Sequence, residues 1–160
     1  MSVTNRTRRQ FLRGAGIASL IGLGAGLGLV RPAQALARTW PGAAFRDKQV
    51  DPVLRALFGD TPAHPSAGVV LGVPDLAENG AVVPVSLRTH LPGVTEMALI
   101  VDHNPFPLVG VLHLTSGAEG FLKTRIKMNK TSPVRAYVRT NHGLYFATHT
   151  VKVTVGGCGG

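Results

Sequence analysis

The chain predicts a mainly β protein: an immunoglobulin-like antiparallel β-sandwich, with a short N-terminal helix before it and a flexible C-terminal Gly-Gly-Cys-Gly-Gly arm after it. Three observations carry this expectation. Seven β-rich runs separated by turn signals fill the stretch from Val69 to Val155. The later runs alternate apolar and polar residues with period two, which suits a sheet with one packed and one wet face. The last five residues, Gly156-Gly157-Cys158-Gly159-Gly160, offer nothing that packs into a core.

In chain order, the first 35 residues predict a targeting segment. Thr7-Arg8-Arg9-Gln10-Phe11-Leu12-Arg13 is a twin-arginine motif, and the uncharged run Gly14 to Val30 follows it. Ala33-Gln34-Ala35 then offers a small-x-small cleavage site, with Ala35-Leu36-Ala37 as a second in overlapping register. The run is 17 residues long and six of them are glycine. That is short and weak for a membrane span. The expectation is a twin-arginine signal peptide over 1–35, cleaved there or at 37, and a mature protein without a membrane span in the periplasm. Residues 1–35 hold five arginines and no acids, so the net charge of +9 falls to +4, from 12 basic and 8 acidic residues, in the rest. That mildly basic balance, with few aromatics, argues against nucleic acid as a partner.

Residues 36–68 predict an extension that carries the helix. Arg38 to Gln49 reads as an extended lead-in with a turn at Trp40-Pro41-Gly42. Asp51 to Gly59 reads as a short helix, with Asp51 as cap, Pro52 in the first turn and Gly59 as terminator. Thr61 to Gly68 reads as a proline-rich loop. The predicted sandwich, 69–155, has strands at Val69–Val73, Ala81–Arg88, Glu96–Asp102, Leu108–Leu114, Gly120–Met128, Val134–Arg139 and Leu144–Val155. Leu122, Thr124, Ile126 and Met128 share one face, and Lys123, Arg125 and Lys127 the other. Val134, Ala136 and Val138 alternate likewise with Arg135, Tyr137 and Arg139, and Val151, Val153 and Val155 with Lys152 and Thr154.

Most chemical motifs fail. His64, His90, His103, His113, His142 and His149 show no zinc-ligand spacing, and there is no Cys-x-x-Cys. No glycine-rich phosphate loop, nucleophile elbow or paired-carboxylate pattern is present. The expectation is no catalytic residue, no metal and no cofactor. The stripe Lys123, Arg125, Lys127, Lys130 reads as a solvated sheet face, with a landing surface for an acidic partner as the second reading.

The thiol is left. Cys158 is the one cysteine of the chain, two residues from its end, with Gly156 and Gly157 before it and Gly159 and Gly160 after it. An unpaired exposed thiol is a liability in an exported protein, which implies a use. A free cysteine titrates near pH 8.5, so only a few per cent is thiolate at neutral pH, and activation has to come from outside. Five residues reach at most about 17 Å. That length lets 156–160 serve as a swinging arm that enters a partner's channel while the sandwich stays outside. Two other readings stand beside the carrier. Cys158 could form an intermolecular disulfide in an exported binding or structural module, a homodimer included. A terminal Gly-Gly also marks ubiquitin-like carriers of a thiocarboxylate, but the export signal and the absent sheet-crossing helix oppose that one.

Val155-Gly156-Gly157-Cys158-Gly159-Gly160, Ala77-Glu78-Asn79-Gly80 with Val83-Pro84-Val85, Asn104-Pro105-Phe106-Pro107 and Thr124-Arg125-Ile126-Lys127 together resemble the SoxY family, the sulfur carriers of bacterial thiosulfate oxidation. The resemblance runs from the helix near Asp51 to the terminus, and the twin-arginine signal belongs to the pattern. It implies that Cys158 is the covalent attachment point and that the chain itself is not an enzyme. It implies a heterodimer with a SoxZ-like subunit. The SoxAX cytochrome, the SoxB manganese hydrolase and, where present, the SoxCD dehydrogenase would act in turn on cysteine S-thiosulfonate and its products. The Asn-Gly and Asn-Pro-x-Pro segments are then expected to be turns.

Overall fold

The computed structural model describes residues 40–115 and 117–155, and Pro41 begins the compact unit that holds the rest of the fold. Helices α1 (Gly42–Arg46) and α2 (Val50–Phe58) come first. Nine strands follow: β1 (Ala63–Pro65), β2 (Val69–Gly72), β3 (Leu76–Asn79), β4 (Val83–Thr89), β5 (Val94–Val101), β6 (Leu108–His113), β7 (Phe121–Ile126), β8 (Ser132–Thr140) and β9 (Gly143–Val155). The larger sheet has the order β1-β9-β8-β5-β6, with β3 also paired to β9, and the smaller has the order β2-β4-β7. The expected sandwich is present.

Its interior is filled from both sheets. Near the C-terminal end of β9, Val83, Val85 and Ile126 of the small sheet meet Leu99, Val101, Val134 and Val151 of the large one. Toward the other end Val69 and Leu87 meet Met97, Ala136 and Val138. The central strand β5 is buried from Glu96 to Val101 without a break, because both of its faces are covered. Met97, Leu99 and Val101 point into the sandwich, while Ala98 and Ile100 lie under the helices. A continuous apolar run is what a strand buried on both faces requires.

The helical cover follows from local spacing. Val50, Val53, Leu54, Leu57 and Phe58 recur at i, i+3, i+4, i+7 and i+8, which puts them on one side of α2. Nine residues are too few for a helix to hold alone in water, so packing must stabilise it. Burying Val53 and Phe58 contributes about 1.5–3 kcal/mol each. Gly59 ends the helix at φ +65°, with its N–H bonded back to the Arg55 carbonyl at 2.9 Å. The Thr61 hydroxyl takes up the Phe58 carbonyl at 2.8 Å.

Five details differ from the sequence expectation. Gln49, in extended backbone, occupies the N-cap position and makes no side-chain cap bond. Asp51 sits inside the first turn, where its charge faces the positive helix end. The lead-in is not all extended, since Gly42–Arg46 forms α1 and buries Ala44. The loop 61–68 contains β1, so His64 lies in a strand, and a further strand, β3, precedes β4. Both extra strands run parallel to β9, which makes the larger sheet mixed, while every other pairing is antiparallel. Finally, the Arg135, Tyr137, Arg139 face of β8 is not wet. Tyr137 is 3% exposed, packed beneath Phe58 and against Phe146 with ring centroids 5.9 and 5.7 Å away.

Candidate functional site

Cys158 and the arm glycines Gly156, Gly157, Gly159 and Gly160 lie outside the described residues, as does the signal segment 1–35. The described part of the site is its root, the end of β9, whose last described residue is Val155.

The root is tied down on both sides. Val151 is fully buried in the sandwich, while Lys152 and Thr154 face outward. β3 runs alongside in the same direction, with Leu76 beside Lys152, Ala77 beside Val153 and Asn79 beside Val155. The Lys152 N–H donates to the Asp75 carbonyl at 2.9 Å, and His149 Nε2 lies 2.7 Å from Asp75 Oδ1. The Gly80 N–H donates to the Val155 carbonyl at 2.7 Å, and the Gly80 carbonyl accepts the Met128 N–H at 2.7 Å. On the opposite side the Val153 N–H donates to the Thr131 hydroxyl at 3.0 Å. The Thr154 hydroxyl donates to the Glu78 carbonyl at 2.8 Å. Free backbone therefore cannot begin before Val155.

The two asparagine motifs build this collar. Asn79 Oδ1 accepts the Ala81 N–H at 2.8 Å, closing an Asx turn that presents Gly80 to Val155. Asn104 binds twice across space. Its Nδ2 donates to the Lys127 carbonyl at 2.8 Å, and its Oδ1 accepts the Asn129 N–H at 2.9 Å. His103 Nδ1 lies 2.9 Å from the Thr131 carbonyl. Thus the segments expected as turns are turns, and they also fix the loops that grip the root. An asparagine before a proline signals a turn, but nothing in one sequence tells which backbone its amide will reach.

Around the root the surface is apolar and basic. Val82 and Val155 are each more than half exposed. Lys127, Lys130 and Lys152 are exposed nearby, and Lys123 and Arg125 continue the stripe along β7. None of these five has an ion-pair partner among the described residues. Several other charges are engaged within the fold. Arg135 holds Asp102 through its Nε and Nη2 at 2.6–2.9 Å, and that bond raises the guanidinium pKa further. Burial pushes the Tyr137 phenol up, with Arg135 partly opposing. Glu96 is buried, 3.7 Å from both His113 Nδ1 and Arg139 Nε. It lies five strand positions, about 17 Å, from the end of β5 that flanks the root. Among the described residues no three His, Cys, Asp or Glu side chains gather as a metal site, and no helix is long and apolar enough to cross a membrane.

The comparisons with known proteins agree with this architecture. The family described as "Sulfur oxidation protein SoxY" matches residues 54–158, a span that ends on Cys158. The sulfur carrier protein SoxY from Chlorobium limicola f thiosulfatophilum superposes with a TM-score of 0.61 at 32% identity, over 66% of this chain and 96% of that one. A superoxide reductase (neelaredoxin) from Ignicoccus hospitalis gives 0.47 at 19% identity, over 54% of this chain and 82% of that one. The human F-spondin reeler domain gives 0.45 at 14% identity, over 59% and 95%. These two are too distant to bear on function. No curated protein matches.

Fold and family together define a sandwich of the sulfur-oxidation systems. The chain belongs to the SoxY family and is a sulfur carrier protein of sulfur oxidation, a family that works with a SoxZ partner.

Proposed function

We propose that this chain is the periplasmic covalent carrier of thiosulfate oxidation, with Cys158 as the attachment point and 156–160 as the swinging arm. The observation that carries the reading is the family match, which extends to Cys158, on a sandwich whose last strand is fixed as far as Val155. In the first step the Cys158 thiol and thiosulfate lose two electrons and one proton and form cysteine S-thiosulfonate through a new S–S bond. The SoxAX cytochrome takes the electrons. Water then cleaves the sulfane–sulfonate bond at the SoxB manganese hydrolase, releasing sulfate and one proton and leaving a persulfide, S–SH, on Cys158. A SoxCD dehydrogenase, where the host has one, would oxidise that sulfur onward.

The chain contributes position and access, and the enzymes contribute the activation that a free thiol lacks. The fixed root gives the arm one point of departure, and glycine on both sides keeps the thiol narrow enough to thread. A twin-arginine signal would export the sandwich folded, in company with its SoxZ-like subunit.

Mass analysis of the C-terminal peptide from thiosulfate-grown cells tests the reading. A thiosulfonate or polysulfur adduct on Cys158 is expected, absent in Cys158→Ser. A bare or disulfide-linked Cys158 in all of the protein would refute it in favour of a structural module. A modified Gly160 would favour the thiocarboxylate chemistry.

A further inference from the structure

Among the described residues, strands β6 and β7 are neighbouring free edges on one side of the sandwich, each hydrogen-bonded to a single partner strand. β7 is guarded by exposed Lys123 and Arg125. Charged residues on an edge strand oppose pairing with other chains. β6 carries no charge from Leu108 to Leu112, and its edge is broken only by the irregularity at Val109 and by exposed His113 at its end. An apolar edge of this kind is open to pairing with a strand of another chain.

Between the two edges opens a cleft of about 280 Å³, lined by Leu99, Val109, Gly110, Leu122 and Thr124 with Arg125 at its rim. Gly110 pairs with Leu99, whose side chain points into the sandwich, and the register shifts beside it between Leu99 and Ile100. A Cβ built on Gly110 meets no atom within 4 Å. Its φ is not positive, so the backbone does not demand glycine. In strands such a glycine often marks a bulge, and the register shift supplies one here, or it marks a place where another backbone or a ligand approaches closely. Here the missing side chain leaves a hole in an apolar wall.

We propose that the β6 edge and this cleft seat a strand of the companion subunit, and the proposal rests on the SoxZ-partnered reading above. The partner strand pairs with β6 through main-chain hydrogen bonds and puts one apolar side chain beside Gly110. It sets acidic side chains against Lys123 and Arg125, which lack an ion-pair partner among the described residues. Position favours a permanent companion over the visiting enzymes. β5 and β8 separate β6 from β9, so a strand docked on β6 lies four strand spacings, about 19 Å, to the side of the strand that carries the arm. The root then stays clear while the bare edge is covered throughout.

The test is binding of the host's SoxZ-type subunit to the wild-type chain and to Gly110→Val and Arg125→Glu, with hydrogen exchange on the wild-type complex. The Gly110→Val chain is expected to keep its Tm and to lose about tenfold or more in affinity, as filling a central pocket does. Arg125→Glu is expected to slow association and flatten its salt dependence. The amides of β6 are expected to gain protection in the complex. Unchanged affinity in both variants, or unprotected β6 amides, overturns the proposal while leaving the carrier reading intact. A Gly110→Val effect confined to self-association, or to binding of an arm-processing enzyme, overturns it in favour of that occupant. Failure of the wild-type chain to bind the SoxZ-type subunit at all would remove the partner reading along with the proposal.

Discussion

Strands β7 and β8 carry the same pattern in sequence and meet opposite fates. Each alternates uncharged, mostly apolar residues with basic or aromatic ones: Leu122, Thr124 and Ile126 against Lys123 and Arg125, and Val134, Ala136 and Val138 against Arg135, Tyr137 and Arg139. In β7 the basic members are exposed and without ion-pair partners among the described residues. In β8 the same positions are consumed by the fold. Arg135 clamps Asp102, and Arg139 lies 5.0 Å over the Phe58 ring and donates to the Leu57 carbonyl at 3.2 Å. The cause is α2, which covers one sheet and leaves the other bare. Charge on the covered face is structural, and charge on the open face is available to partners.

The largest effect should come from stripping that cover. Phe58 is 2% exposed and touches both Tyr137 and Arg139. Phe58→Ala should cost about 3–5 kcal/mol, the range for deleting a buried aromatic side chain. Urea denaturation measures it. A loss below about 1 kcal/mol would mean that α2 is an ornament on the sandwich, and the contrast between the two strands would collapse.

Next come the polar ties. Asp102→Asn removes the charge from a clamp that is mostly shielded from water, although Arg135 is about a third exposed. Solvent screening reduces the penalty, and a loss of about 1–2 kcal/mol is expected. Asn104→Ala breaks two bonds in the collar of the arm root and should cost a similar amount, about 1–2 kcal/mol. The two variants differ in place. Hydrogen exchange should rise around Lys127–Thr131 and the end of β9 only in Asn104→Ala, and equal exchange there would show that the root does not depend on that amide.

Tyr137 supplies a pH signature of the covered face. Its pKa is raised above 10.0 by burial. In the unfolded chain the phenol ionises near that value, while the folded chain holds its proton to higher pH. Stability contributed by the neutral phenol is therefore complete below about pH 10 and declines as pH rises from there toward the folded pKa. In Tyr137→Phe this part of the alkaline decline should vanish. An unchanged pH profile would mean that the phenol is not shielded from water.

Much of this was legible in the sequence, for reasons that particular residues expose. Strands with a packed face announce themselves by alternation, and all seven expected strands lie where β2 and β4 to β9 are found. β1 and β3 escaped because each is short and pairs at one side only. Ala63-His64-Pro65 contains a proline, and in Leu76-Ala77-Glu78-Asn79 only Ala77 is buried. The cover over β8 escaped because period two reports that a face differs from its opposite, not what lies above it. Tyr137 in place of a charge was the one hint. The site divides in the same way. The thiol declares itself through composition, whereas the collar depends on where Asn79, Asn104 and Thr131 send their hydrogen bonds, which is a property of the assembled loops.

The smallest effect is expected on the open face, and it completes the comparison. Lys123→Gln with Arg125→Gln removes two exposed charges that make no ion pair among the described residues, so stability should change by no more than about 0.5 kcal/mol. On β4, by contrast, Arg88 sits 4.6 Å from the Phe121 ring centroid and is already engaged within the small sheet. A drop comparable to that of Asp102→Asn would place the β7 charges in the folding balance and remove the distinction from β8. If stability holds while association with the partner subunit becomes slower and less sensitive to salt, the two strands are separated by function as well as by burial. The same alternating pattern then builds a core in one sheet and recruits a partner from the other.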